Sequence, residues 1–148
     1  MDTISYEKET CCRCGGTGQY SYNQVDGSRC YGCGGTGQRL TKRGKAAKAF
    51  ADTLLNIRID QVQIGQRVTH TCMGRRTTIT VKSIEQTESG GAFVNGEWKS
   101  LRVTYLRGDT HEIAGGGIMV RAVPTAEQAA RIMAYQANLT KSGKPRAR

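Results

Sequence analysis

Four of the six cysteines fall into two C-x-x-C pairs, Cys11 with Cys14 and Cys30 with Cys33, spaced C-x₂-C-x₁₅-C-x₂-C. A tight C-x-x-C turn brings two sulfurs to one ion, and two such turns complete a tetrahedron around a soft divalent metal. The spacing falls in the interval of zinc-binding ribbons and knuckles, so one zinc ion is expected. Because all four ligands are thiolates, no position stays open for water, and neither His70 nor His111 is near the pairs in sequence. The expected zinc is therefore structural, not catalytic. Two redox C-x-x-C motifs or two disulfides are the alternative, but the βαβ pattern a redox motif needs is missing. Cys12 is separated from Cys14 by a single residue, which makes Cys11 the better ligand. Cys72, in a strand-like segment, reads as a small buried apolar group. Gly15 and Gly34 are expected at positive φ, turning the chain back so that amide N–H groups aim at the sulfurs.

The cysteine pairs open an internal repeat, Cys11-Cys12-Arg13-Cys14-Gly15-Gly16-Thr17-Gly18-Gln19 and Cys30-Tyr31-Gly32-Cys33-Gly34-Gly35-Thr36-Gly37-Gln38. This doubled C-x-x-C-G-G-T-G resembles the cysteine-rich zinc-finger module of DnaJ-type co-chaperones, whose repeat is C-x-x-C-x-G-x-G. The resemblance covers residues 11–38 only. Four repeats hold two zincs in that family, so two repeats imply one zinc here. No His-Pro-Asp tripeptide occurs, so the resemblance implies no J domain and no stimulation of a chaperone ATPase. What it implies is a zinc-stapled pair of hairpins able to contact polypeptide, nucleic acid or another domain. The chain also resembles small zinc-finger proteins encoded by bacteriophages.

The net charge of +10 points to an acidic partner, and nucleic acid is the first to consider. The charge is uneven: residues 1–40 are balanced, 41–60 carry +3, 61–123 carry +3 and 124–148 carry +4. The cysteine module is thus not the basic surface. Candidate phosphate contacts are Lys42, Arg43, Lys45 and Lys48 on a helix and Arg75 and Arg76 at a turn. A solvated helix face is the plain alternative for the first four. Trp98, Phe93 and Tyr105 could offer stacking faces or simply pack in a core. Gly115-Gly116-Gly117 lacks the Lys-Ser/Thr of a phosphate loop and reads as a hairpin turn.

These residues must be positioned by a modest α+β chain. After the zinc knuckle hairpins of residues 1–40, with short extended pieces at 20–22 and 24–27, a basic linker helix is expected within 41–60. It would run from Lys42 to Asn56, with Thr41 as N-cap and Ala47, Phe50, Ala51 and Leu54 on one face. Gly44 weakens its first turn. Residues 61–123 read as short antiparallel strands at 66–73, 77–85, 92–94, 98–106, 110–113 and 118–123. Turns fall at Gly74, Gly90-Gly91, Asn95-Gly96 and Gly108-Asp109. A small SH3-like or OB-like β-barrel would remove their exposed edges. A C-terminal helix follows within 124–140, with Thr125 as N-cap and Gln128 as its box partner. The basic tail, 141–148, cannot build a core and reads as disordered.

No Ser/His/Asp, Cys/His or H-E-x-x-H arrangement supports catalysis, and no small-molecule substrate is implied. No stretch is apolar enough to span a membrane. Paired cysteines without an export signal fit the cytoplasm, the host's if the chain is phage-encoded. The expected function is non-enzymatic nucleic-acid binding, DNA or RNA, through backbone electrostatics. The alternative is a protein-interaction adaptor or inhibitor that grips a partner protein with the zinc module and barrel.

Overall fold

A computed structural model describes residues 4–20, 27–94 and 97–146, with the side chains of 89–94, 98, 99 and 101 outside that description. The chain divides into two compact units, residues 1–51 with 125–148 and residues 52–124.

In the first unit β1 (Lys8–Thr10) pairs antiparallel with β2 (Gln38–Leu40), closing the cysteine segment at its base. Helix α1 (Lys42–Leu55) follows at once. The Thr41 hydroxyl accepts the Gly44 N–H at 3.0 Å, as its N-cap role requires. Gly44 has a packing reason to be there: a Cβ at this position would lie 2.1 Å from the Glu7 carbonyl oxygen. Its absence lets the first turn of α1 touch the N-terminal backbone. Ala47 and Ala51 are buried, and Phe50 stacks on Tyr135 of α2 (Ala126–Ala137) with ring centroids 4.1 Å apart. Such a pair contributes about 1 kcal/mol beyond the area it buries. Gln136 ties three segments together: its carbonyl accepts from Arg43, its Oε1 accepts the Glu7 N–H and its amide donates to the Ser5 carbonyl. The Thr125 and Gln128 capping box of α2 forms as the sequence requires.

The expected disordered tail is ordered as far as it is described. Leu139 is fully buried and bridges to Pro145, while the Thr140 N–H donates to the Lys144 carbonyl at 2.8 Å. The Arg146 N–H also donates to the Asn138 carbonyl at 3.0 Å. Composition could not reveal this, because the turn is held by one leucine, the Thr140 hydroxyl and its own backbone. Residues 147 and 148 lie outside the described residues.

In the second unit a six-stranded antiparallel sheet has the order β3-β8-β4-β5-β6-β7. Its strands are β3 (Asn56–Arg58), β4 (Arg67–Cys72), β5 (Arg75–Val94), β6 (Glu97–Gly108), β7 (Glu112–Gly115) and β8 (Met119–Ala122). Ile59, Val68, Ile79, Val81, Leu106, Ile113 and Val120 form the core. The expected closed barrel is not formed: β3 and β7 are the outer strands, and no pairing joins them among the described residues. Edges of three and four residues are short enough to need no closure. One helix end and two turn assignments also change. Asn56–Arg58 is a strand and not the end of the helix, because it pairs with β8. Gly90-Gly91 lies inside β5 as a register shift, so the strands expected at 77–85 and 92–94 are one. Gly115-Gly116-Gly117 joins strands at different places in the sheet and is not a hairpin turn.

Residues 21–26 of the pieces expected at 20–22 and 24–27 and the Asn95-Gly96 turn lie outside the described residues, as do the side chains of Phe93 and Trp98. Tyr105 is half-buried.

Candidate metal centre

The sequence repeat becomes a repeat of hydrogen bonds at a constant offset. The Cys11 N–H donates to the Gly37 carbonyl at 2.9 Å, and the Cys30 N–H to the Gly18 carbonyl at 3.0 Å. Within each copy a threonine hydroxyl is shared between two carbonyls, Thr17 with Cys14 and Gln19, and Thr36 with Cys33 and Gln38. Each copy also fits against the other's backbone. A Cβ on Gly18 would lie 2.3 Å from the Gly35 oxygen, and one on Gly37 would lie 2.2 Å from the Gly16 oxygen. Only glycine permits this approach.

The result is that the sulfurs of Cys11, Cys14, Cys30 and Cys33 all lie within 4.8 Å of one another. Cys11 and Cys30 are 3.9 Å apart, and Cys14 and Cys33 are 3.8 Å apart. Sulfurs placed about 2.3 Å from one tetrahedral zinc are separated by about 3.8 Å. A disulfide would need about 2.05 Å, and all four cysteines are free. Among the described residues this is the one group of three or more His, Cys, Asp and Glu side chains close enough to hold a metal ion.

Electrostatics separates Cys14 and Cys33 from Cys30. Burial pushes Cys14 up, but N–H donors from Gly18 and Gly16 and the neighbouring thiols outweigh it and bring its pKa down to about 6. Cys33 shows the same opposition, with Gly37 and Gly35 as donors and a lowered pKa as the net result. Burial dominates at Cys30, which is raised to about 11. A cation at the centre would favour the thiolate at all four. Gly15 and Gly34 do have positive φ, 60° and 63°. The N–H groups that reach the sulfurs, however, come from further along each loop, Gly18 at 3.3 Å and Gly37 at 3.2 Å. The glycine after each pair makes the turn, and later glycines supply the donors.

No protein-family model, curated protein or solved structure matches the chain.

The remaining cysteines lie outside the centre. Cys12 is exposed, and so is Cys72, contrary to its expected burial. Cys72 sits at the end of β4, where with His70, Arg75, Thr77, His111 and Glu112 it lines an open groove of about 450 Å³. The two histidines, far apart in sequence, thus share one surface.

The candidate phosphate contacts separate into groups. Lys42, Lys45 and Lys48 are exposed on α1. Arg43 is instead engaged with Glu7 at 3.2 Å and the Gln136 carbonyl at 2.9 Å. Arg75 and Arg76 are exposed at the start of β5, and neither has an ion-pair partner among the described residues. Sequence reasoning counted Lys141 and Lys144 in a basic tail but did not place them beside α1. Gly143 between them packs on the first turn of α1, where its Cβ would lie 2.8 Å from the Lys42 oxygen. Two segments a hundred residues apart therefore present lysines at one end of α1. The spacing of glycine between two lysines carried the signal only once the turn was known.

Proposed function

We propose that the protein is a non-enzymatic, cytoplasmic nucleic-acid-binding protein in which one structural zinc organises a basic surface. Cys11, Cys14, Cys30 and Cys33 would hold the zinc, in keeping with the DnaJ-like repeat. The observation that carries the reading is the gathering of Lys42, Lys45, Lys141 and Lys144 at one end of α1, without an ion pair among the described residues. Like charges brought together at no benefit to folding are best explained by an anionic partner. Lys48 extends the same helix face, and Arg75 and Arg76 add a second site. Arg43 positions α2 and is left out of the contact set. Each phosphate neutralised adds about 0.9 to the slope of log affinity against log salt, so four lysines give a slope of about 3 to 4.

The test is binding of the zinc-loaded full chain to duplex DNA and to RNA over a range of salt. Affinity should fall steeply with salt, and Lys141→Glu with Lys144→Glu should reduce both affinity and slope. Absence of binding at low salt would refute the reading.

A second reading, an adaptor for a partner protein, is favoured by a specific feature of the metal module. Gly18, Gln19, Gly27, Arg29 and Gly35 line an open depression of about 260 Å³, and Tyr31 is 57% exposed. A stoichiometric protein partner that survives nuclease treatment would support the adaptor instead.

A further inference from the structure

The β4–β5 hairpin turns on Met73 and Gly74, which follow the register pair Cys72 and Arg75. Both turn residues have positive φ, 48° and 77°. Asn-Gly is the favoured pair for a two-residue turn of this kind, and methionine is strained at positive φ. Met73 is also 99% exposed, the most exposed of the large hydrophobic side chains described. The fold therefore holds an apolar side chain in an unfavourable conformation at the tip of a hairpin, entirely in water.

The residues behind the tip are cationic on both faces. Paired residues share a face and successive residues alternate. Arg75, paired with Cys72, therefore lies on the groove face with His70, while Arg76, paired with Thr71, lies on the opposite face. The hairpin is thus a narrow finger with a guanidinium on either side and methionine at its end.

We propose that this hairpin enters the minor groove of duplex DNA, with Arg75 and Arg76 on the two phosphate walls and Met73 wedged into a base step. Apolar wedges of this kind partly unstack the step and kink the duplex. Opposed arginines match the two strands bounding a groove, and the exposed tip meets the bases on its floor. This rests on the nucleic-acid reading and adds duplex DNA as the ligand and bending as the result.

The experiment is a bend measurement by energy transfer between dyes at the two ends of a short duplex, with affinity and salt dependence measured on the same samples. The full zinc-loaded chain should bring the duplex ends together. Met73→Asn suits the turn, so the fold is retained. It should abolish the bend while leaving the salt dependence of binding in place. Arg75→Ala and Arg76→Ala should each weaken binding and lower the salt slope by about 1. A duplex bent equally by Met73→Asn, or bound but left straight by the parent protein, overturns the wedge while nucleic-acid binding stands. Binding to RNA alone also overturns it. No binding to any nucleic acid overturns both readings.

Discussion

Gly15 and Gly37 stand in the same cysteine loops, yet alanine should affect them differently. At Gly15 nothing lies within 4 Å of a new Cβ, so the cost is that of a φ of 60° in an L-residue, about 1 kcal/mol. At Gly37 the Cβ would lie 2.2 Å from a backbone oxygen of the other copy, and the residue's own N–H donates to the Cys33 sulfur. Gly37→Ala should therefore release the metal at chelator concentrations that Gly15→Ala withstands, as a competition titration would read. Cys14→Ser and Cys33→Ser should lose the metal outright. Metal uptake should also weaken as pH falls through about 6, where Cys14 takes up a proton. Away from the centre, Asp109 accepts the Thr80 N–H at 3.1 Å, and this bond, with help from Lys82, holds its carboxyl below the usual range. A depressed pKa stabilises the fold above the unfolded value of about 3.9 and loses that contribution as pH falls through the folded value. Asp109→Asn should remove this part of the acid sensitivity, measured as melting temperature against pH.

Among the elements, Gly44 sets helix propensity against packing. Propensity alone would have Gly44→Ala stabilise α1 by about 1 kcal/mol. Packing opposes it, because the Cβ would meet the Glu7 carbonyl at 2.1 Å, and backbone cannot yield as a flexible side chain can. A lower melting temperature for Gly44→Ala is expected, and a higher one would show that the contact is dispensable. The C-terminal turn gives a second test. Leu139→Ala should cost about 2–5 kcal/mol as a buried leucine. These two sites mark the limit of what sequence makes legible. Caps, turn residues and apolar spacing are local, so α1, α2 and most strands of the second unit could be placed from them. The clustering of Cys11, Cys14, Cys30 and Cys33 was legible for the same reason, since two C-x-x-C turns carry their geometry within a few residues. Three kinds of feature were not legible. β1, β2 and β3 are three-residue strands defined only by distant partners. Gly44 and Gly143 owe their presence to backbone contacts across the fold. Gly90-Gly91 has the composition of a turn but continues a strand whose neighbour holds it straight through a register shift.

For the whole molecule, the two units divide what a metal at the cysteines would control from what it would not. The cysteines, α2, the C-terminal turn and the lysines at the start of α1 belong to one unit. The cluster from Ile59 to Val120 and the hairpin bearing Arg75 and Arg76 belong to the other. Four thiolates around a divalent ion would make the cysteine module net negative, so on the proposed reading a bound metal would serve the basic surface by organising structure and not by adding charge. Chelation should therefore raise amide exchange in residues 4–20, 27–51 and 125–146 while the sheet core stays protected. It should also weaken nucleic-acid binding without abolishing it, because the hairpin arginines do not depend on the centre. The salt slope separates the outcomes. A slope that drops to about 2 upon chelation leaves the two hairpin arginines as the remaining contacts. An unchanged slope would mean that the metal does not organise the lysines, and complete loss of binding would place the whole interface in the metal-dependent unit.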